Sequence, residues 1–146
     1  MSLRQNSFPD LRFGGPSLNR PSVCAVVACY RDAEAIPEMY ERLTAALSTL
    51  TPRYEIIFVN DGSPDNSREI IRDLSRADSR VIGINHSRNF GSQMAFRSGI
   101  EHCGMDSVVL LDGDLQDPPE LIPELLAPAH WLLTKRIVYF TRAQLL

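Results

Sequence analysis

The chain has 146 residues, a hydrophobic content of 44%, a charged content of 23% and a formal net charge of −3. That length suffices for one domain with its own core and is short for two, and the composition is that of a soluble globular protein. The slight acidity gives no basic footprint for nucleic acid, so no nucleic-acid partner is expected.

Residues 1–21 carry Asn6, Pro9, Gly14, Gly15, Pro16, Asn19 and Pro21 with little periodicity and read as a flexible leader. Arg4 and Arg12 are not followed by an apolar core of signal-peptide length. No segment approaches the ~20 apolar residues that cross a bilayer. Residues 22–29 (SVCAVVAC) form a short valine-rich run, hence a buried strand. Residues 35–50 place Ile36, Met39, Tyr40, Leu43, Ala46, Leu47 and Leu50 at helical spacing, with Pro37 in the first turn, where a missing N–H costs little. A second strand over 54–59 stops at Asn60-Asp61-Gly62-Ser63, and a helix over 64–77 buries Ile70, Ile71 and Leu74. A third strand is expected over 80–85. The helix after it, 91–103, has Met94, Ala95, Ser98 and Gly99 as a close-packing face. A fourth strand over 107–111 is followed by a helix from Pro118-Pro119 to residue 126. Cys24, Cys29 and Cys103 show no metal-ligand spacing and read as free thiols of a reducing, cytoplasmic compartment.

Strand and helix alternate throughout, and the strands look buried on both faces. The fold class expected is α/β, a Rossmann-like mostly parallel sheet with right-handed crossovers. Ligands of such sheets bind beyond the carboxyl ends of the strands. The polar clusters Tyr30-Arg31-Asp32, Asn60-Asp61-Gly62-Ser63, Ser87-Arg88-Asn89 and Asp112-Gly113-Asp114 all fall there. Four clusters on one rim point to a site.

Each cluster also has a plainer reading. Asp112, Asp114 and Asp117 with Gln116 crowd charge that needs a cation or full solvation; a hard divalent metal carrying a diphosphate suits them, and so does a hydrated Asp-Gly turn. In the first case Asp114 is the best ligand, Asp112 holds the metal or a ribose, Gln116 adds a neutral oxygen, and Asp117 caps the next helix. Asp61 can point off the sheet edge toward a planar donor such as the imide N–H of a base, or belong to a turn, with Ser63 or Asp65 capping the helix that follows. Asp32 serves a ligand or, nearly as well, is a helix N-terminal acid favoured by the dipole. Arg88 and Asn89 can meet phosphate or ribose oxygens, or Arg88 can pair with the acidic loop.

The segments CYRDAEAIPEMYERL, YEIIFVNDGSPDNS, VIGINHSRNFGSQMAFRSGIEHC and VVLLDGDLQDPPELIPELL, in that order, resemble family 2 glycosyltransferases of the GT-A fold. The branch they resemble most is that of the dolichyl- and undecaprenyl-phosphate sugar transferases. The likeness covers residues 22–126, taken as a partial nucleotide-sugar-binding domain, and SRNFG with DGDLQDPPEL is its most specific part. The resemblance implies metal-dependent, inverting transfer of a sugar from a UDP- or GDP-sugar to a polyprenyl phosphate at the cytoplasmic face of a membrane. Tyr30, Asp32 and Asp61 would hold the nucleotide base. Asp112 and Asp114, with Gln116, would bind Mg²⁺ or Mn²⁺ and the diphosphate, with Arg88 nearby. Arg31 stands where this branch usually has asparagine, and Asn60 where aspartate is common, which puts fine specificity in question.

Residues 127–146 (APAHWLLTKRIVYFTRAQLL) depart from the resemblance. Lys135, Arg136 and Arg142 among apolar residues fit an amphipathic segment on anionic lipid, or an edge strand of the sheet. The abrupt loss of the pattern favours a third reading, a tail foreign to the fold in a truncated chain. The catalytic base is then expected in a missing C-terminal half, with only Glu120 and Glu124 following Asp117. Two other classes compete: a non-catalytic fragment that binds a nucleotide sugar, a membrane surface or a second copy of itself, and a sugar-phosphate nucleotidyltransferase. The latter is disfavoured because Tyr30-Arg31-Asp32-Ala33 lacks a Gly-rich, basic loop.

Overall fold

The computed structural model describes residues 22–126 and 136–139. The leader expected over 1–21 lies outside the described residues, as do 127–135 and 140–146 of the tail.

Strand β1 (Val23–Cys29) is buried along its whole length, because it lies in the middle of the sheet between β2 (Tyr54–Asn60) and β4 (Ser107–Asp112). Strands β3 (Val81–Asn85) and β5 (Arg136–Tyr139) complete a parallel sheet in the order β3-β2-β1-β4-β5. Helix α1 (Ile36–Leu50) opens with Pro37 in its first turn and buries Ile36, Met39, Leu43, Ala46 and Leu47. Burying side chains the size of Ile36, Met39, Leu43 and Leu47 stabilises by about 1.5–3 kcal/mol each. With α2 (Ser67–Ala77) and α4 (Ile122–Leu126), α1 covers one face of the sheet, over Val27, Phe58, Val109 and Leu111. Helix α3 (Ser92–Glu101) covers the other, over Cys24, Val26, Val59 and Leu110. Crossovers of one hand require this alternation once the chain runs outward to β3 and returns to β4 on the far side of β1.

Three expectations change. Strand β3 is buried only at Val81 and alternates thereafter, because it has a single neighbour and lies at the sheet's edge. On α3, Ala95 and Gly99 face the sheet while Met94 is 42% exposed, since the helix lies so close that a Cβ on Gly99 would stand 2.2 Å from Val26 Cγ1. The helix expected from Pro118 begins as a 3₁₀ turn (Pro119–Leu121). Of the three readings of the tail, the edge strand is the arrangement seen, with Arg136–Tyr139 pairing in parallel with Ser107–Leu110. No disulfide joins the three cysteines, and Cys24 and Cys29 are buried.

Candidate functional site

Strand order reverses between β1 and β4, and such a reversal leaves a crevice between the diverging connections. A cleft of ≈ 280 Å³ opens there. Five of the seven expected site residues line it: Tyr30, Asp32, Asp61, Asp112 and Asp114. Ala28, Cys29, Asn89, Gly91, Ser92 and Gly113 complete the wall. An adjoining hollow of ≈ 420 Å³ shares Asp32 and Asp114. Arg88 and Gln116 are exposed beside the cleft and outside its lining.

At the end of β1 the chain turns sharply. Arg31 has φ 59, a left-handed conformation uncommon for a side chain of its size, and its N–H donates to Ser63 Oγ at 2.8 Å. The turn swings Asp32 back so that Oδ2 accepts the Tyr30 N–H at 2.9 Å. Asp32 therefore does not cap α1, whose first turn has no side-chain cap. Burial pushes its carboxyl above the usual carboxylate range and repulsion from Asp114 and Asp65 adds to this, against the Tyr30 N–H. Asp65 ties the same corner together, accepting from Ser63 Oγ, from the Ser67 N–H and hydroxyl, and from the Ala33 N–H. Burial works to raise its carboxyl, but these donors hold it down at about 2.

Asp61 is 3% exposed. Its Oδ1 accepts the Phe90 N–H at 2.9 Å and lies 2.8 Å from His86 Nδ1, and its Oδ2 accepts the Gly91 N–H at 2.9 Å. The carboxylate thus holds the β3–α3 loop before it meets anything in the cleft. A carboxylate has about four acceptor positions, so one on Oδ2 is left over. Burial raises the Asp61 carboxyl, but the donors from Phe90, His86 and Gly91 outweigh it and leave it below the ordinary value. Gly62 (φ 67) lets this loop come close, since a Cβ there would stand 2.3 Å from the Arg88 carbonyl carbon.

The acidic loop after β4 is closed by Asp117, which is 8% exposed and accepts the Asp112 N–H at 3.1 Å. It is a staple of the loop; Pro118 occupies the N-cap of the 3₁₀ turn, which has no side-chain cap. Leu115 takes φ 65, and the Gln116 N–H donates to Asp114 Oδ1 at 3.1 Å. Asp112 and Asp114 stay exposed on the cleft. Burial raises the Asp112 carboxyl, and Asp117, Asp114 and Asp32 repel it further. Carboxylates crowded in this way gain from a cation between them. Among the described residues no three His, Cys, Asp or Glu side chains form a closed metal cage. Two carboxylates on an open cleft fit the other arrangement, in which Mg²⁺ or Mn²⁺ is held by one or two carboxylates and completed by substrate phosphates.

Arg88 forms no ion pair with the acidic loop among the described residues; its guanidinium stacks 4.2 Å over the Phe90 ring. Glu120 is turned away from the cleft and accepts from Arg42 Nε and Nη2, at 2.6 and 2.7 Å, which hold its carboxyl below the usual range. Sequence reasoning passed over His86 and the wall residues Gly91 and Ser92. Only the position of His86 next to SRNFG hinted at its place.

The family model for glycosyl transferase family 2 matches residues 24–141, running past Leu126 and through β5. The chain is 42% identical over 119 residues to the uncharacterized glycosyltransferase YkcC of Bacillus subtilis, covering 82% of this chain and 36% of that protein. It is 44% identical over 108 residues to an undecaprenyl-phosphate 4-deoxy-4-formamido-L-arabinose transferase of Pseudomonas fluorescens, covering 73% and 32%. The chain thus spans about a third of the length of these curated relatives. Among solved structures it is similar in fold to the mannosyltransferase PcManGT of Pyrobaculum calidifontis in complex with GDP-Man and Mn²⁺. That likeness has a TM-score of 0.58 at 22% identity over 65% of this chain and 28% of the other.

Proposed function

The chain belongs to glycosyl transferase family 2, and on that premise we propose that it carries the donor-binding half of an enzyme moving a sugar from a UDP- or GDP-sugar to a polyprenyl phosphate. The observation that carries this reading is the meeting of Asp32, Asp112 and Asp114 around Gly113 at the strand-order reversal, with Asp61 on the same cleft. The Pyrobaculum enzyme's GDP-Man and Mn²⁺ support the donor class, and the name of the Pseudomonas relative supports the acceptor class.

On this reading the nucleotide lies toward Tyr30 and Asp61. The exposed Tyr30 ring offers a stacking face, and the remaining acceptor position of Asp61 takes a base N–H. Asp112 and Asp114 hold Mg²⁺ or Mn²⁺, with Gln116 at their side, and Arg88 lies near the phosphates. When bound, such a cation supplies Lewis-acid neutralisation of the leaving diphosphate. Asp32, one Cβ's width from Gly113, keeps the metal corner close to the β1 turn. Glu120 is paired with Arg42 and Glu124 lies outside the cleft lining, so neither faces the donor as a base. A polyprenyl-phosphate acceptor would put the reaction at a membrane surface, with the cytoplasmic face as our reading; no described helix is long and apolar enough to cross a membrane.

Calorimetric titration with UDP-glucose and GDP-mannose, each with and without Mn²⁺, tests the reading. One nucleotide sugar is expected to bind in a metal-dependent way. A folded sample that binds neither, with or without metal, overturns it.

A further inference from the structure

His86 lies one residue beyond β3 and does not line the cleft, yet it touches a residue that does. Its side chain is 11% exposed and that of Asp61 4%. The ring bridges two elements: Nδ1 is 2.8 Å from Asp61 Oδ1 at the end of β2, and Nε2 is 2.8 Å from Ser98 Oγ on α3. The Phe90 ring closes it off edge-on, 5.5 Å between centroids. An ionised carboxylate only accepts, so Nδ1 carries the proton shared with Asp61, and Nε2 faces the Ser98 hydroxyl, which can donate or accept. A purely space-filling histidine has no need of both contacts.

The consequence falls on Asp61. With Oδ1 taken by His86 and the Phe90 N–H, the carboxylate cannot rotate, and its unfilled acceptor position stays on Oδ2. The same grip holds Asn89 and Gly91 in the cleft wall. We propose that His86 is a positioning residue for the donor: acting through Asp61, it sets which carboxylate oxygen serves the cleft and keeps the 86–91 loop against it. This rests on the cleft being the nucleotide-sugar site.

The test compares His86→Asn, whose amide N–H falls near the Nδ1 position, with His86→Gln, whose amide falls near Nε2, and with His86→Leu. Donor affinity in the presence of Mn²⁺ is measured beside the melting temperature and the exchange of the Phe90 and Gly91 amides. Leu and Gln are expected to weaken donor binding by about tenfold or more, the worth of one charge-assisted hydrogen bond. Asn is expected to restore most of it, with Phe90 and Gly91 protected as in the wild type. If His86→Leu does not fold, the Asn and Gln variants carry the comparison. Equal affinity in the Asn and Gln variants, or long-range ¹⁵N spectra showing the proton on Nε2 alone, overturns the proposal. A wild-type protein that binds no nucleotide sugar instead overturns the assignment of the cleft. The amide exchange then still reports whether His86 holds the loop.

Discussion

Asp32 and Gly113 meet where no side chain could stand between them: a Cβ on Gly113 would lie 2.9 Å from Asp32 Oδ2 and 3.0 Å from the Ala28 carbonyl. The contact joins the turn after β1 to the acidic loop after β4. Gly113→Ala is therefore expected to push Asp32 off the metal corner and to destabilise the fold by about 1–3 kcal/mol through overpacking. Mn²⁺-dependent donor binding, measured alongside urea unfolding, should fall by more than the stability loss explains.

Asp112 is held in repulsion, so its removal should help the empty protein. Its folded-state carboxyl lies above the ordinary value, the folded state binds protons more tightly there, and stability from this group declines as pH rises through that range. Asp112→Asn is expected to raise stability at pH 7 by no more than ~1 kcal/mol, because the side chain is exposed and screened. It should also abolish metal-dependent binding. Thermal unfolding with and without Mn²⁺ reads both effects, and a variant that is less stable without metal would contradict the assignment.

Acid should act in the opposite sense on Asp61 and Asp65. Both carboxyls are held below their unfolded value of 3.8, Asp65 at about 2. Their contribution is full above the unfolded value and is lost as pH falls below 3.8, for Asp65 down to about 2. Urea midpoints between pH 7 and pH 2 are expected to drop most steeply in that window. Asp65→Asn should flatten the drop, since the charge accepting from Ser63, Ser67 and Ala33 would be gone.

Gly62 and Gly91 both take positive φ, at 67 and 98, but differ in what surrounds them. A Cβ on Gly62 strikes the backbone of Arg88 and Asn89, whereas one on Gly91 meets nothing within 4 Å. Alanine at either position carries backbone strain of about 1–3 kcal/mol. Gly62→Ala is expected to lose more, and to release the Phe90 and Gly91 amides to exchange. Denaturant midpoints of the two variants check the ranking.

Alternating strand and helix patterns, the valine-rich β1 and the periodicity of α1 made the parallel sheet legible, because burial on a sheet or one helix face imposes a repeat that survives in the order of residues. The same order placed Tyr30, Asp32, Asp61, Asp112 and Asp114 on one rim, since strand ends in a parallel sheet point one way. Local sequence could not say which carboxylates face solvent. Asp61 and Asp117 read like Asp112 and Asp114, yet the first two are buried against backbone N–H groups and the second two stand open on the cleft. Those N–H groups belong to Phe90, Gly91 and the turn at Asp112, and for Asp61 they arrive only once β3 has docked beside β2. Composition and spacing thus determined the fold class and the rim. Only the packing of distant segments decided that Asp61 anchors the loop, that His86 braces Asp61, and that Asp112 and Asp114 stand exposed on the cleft.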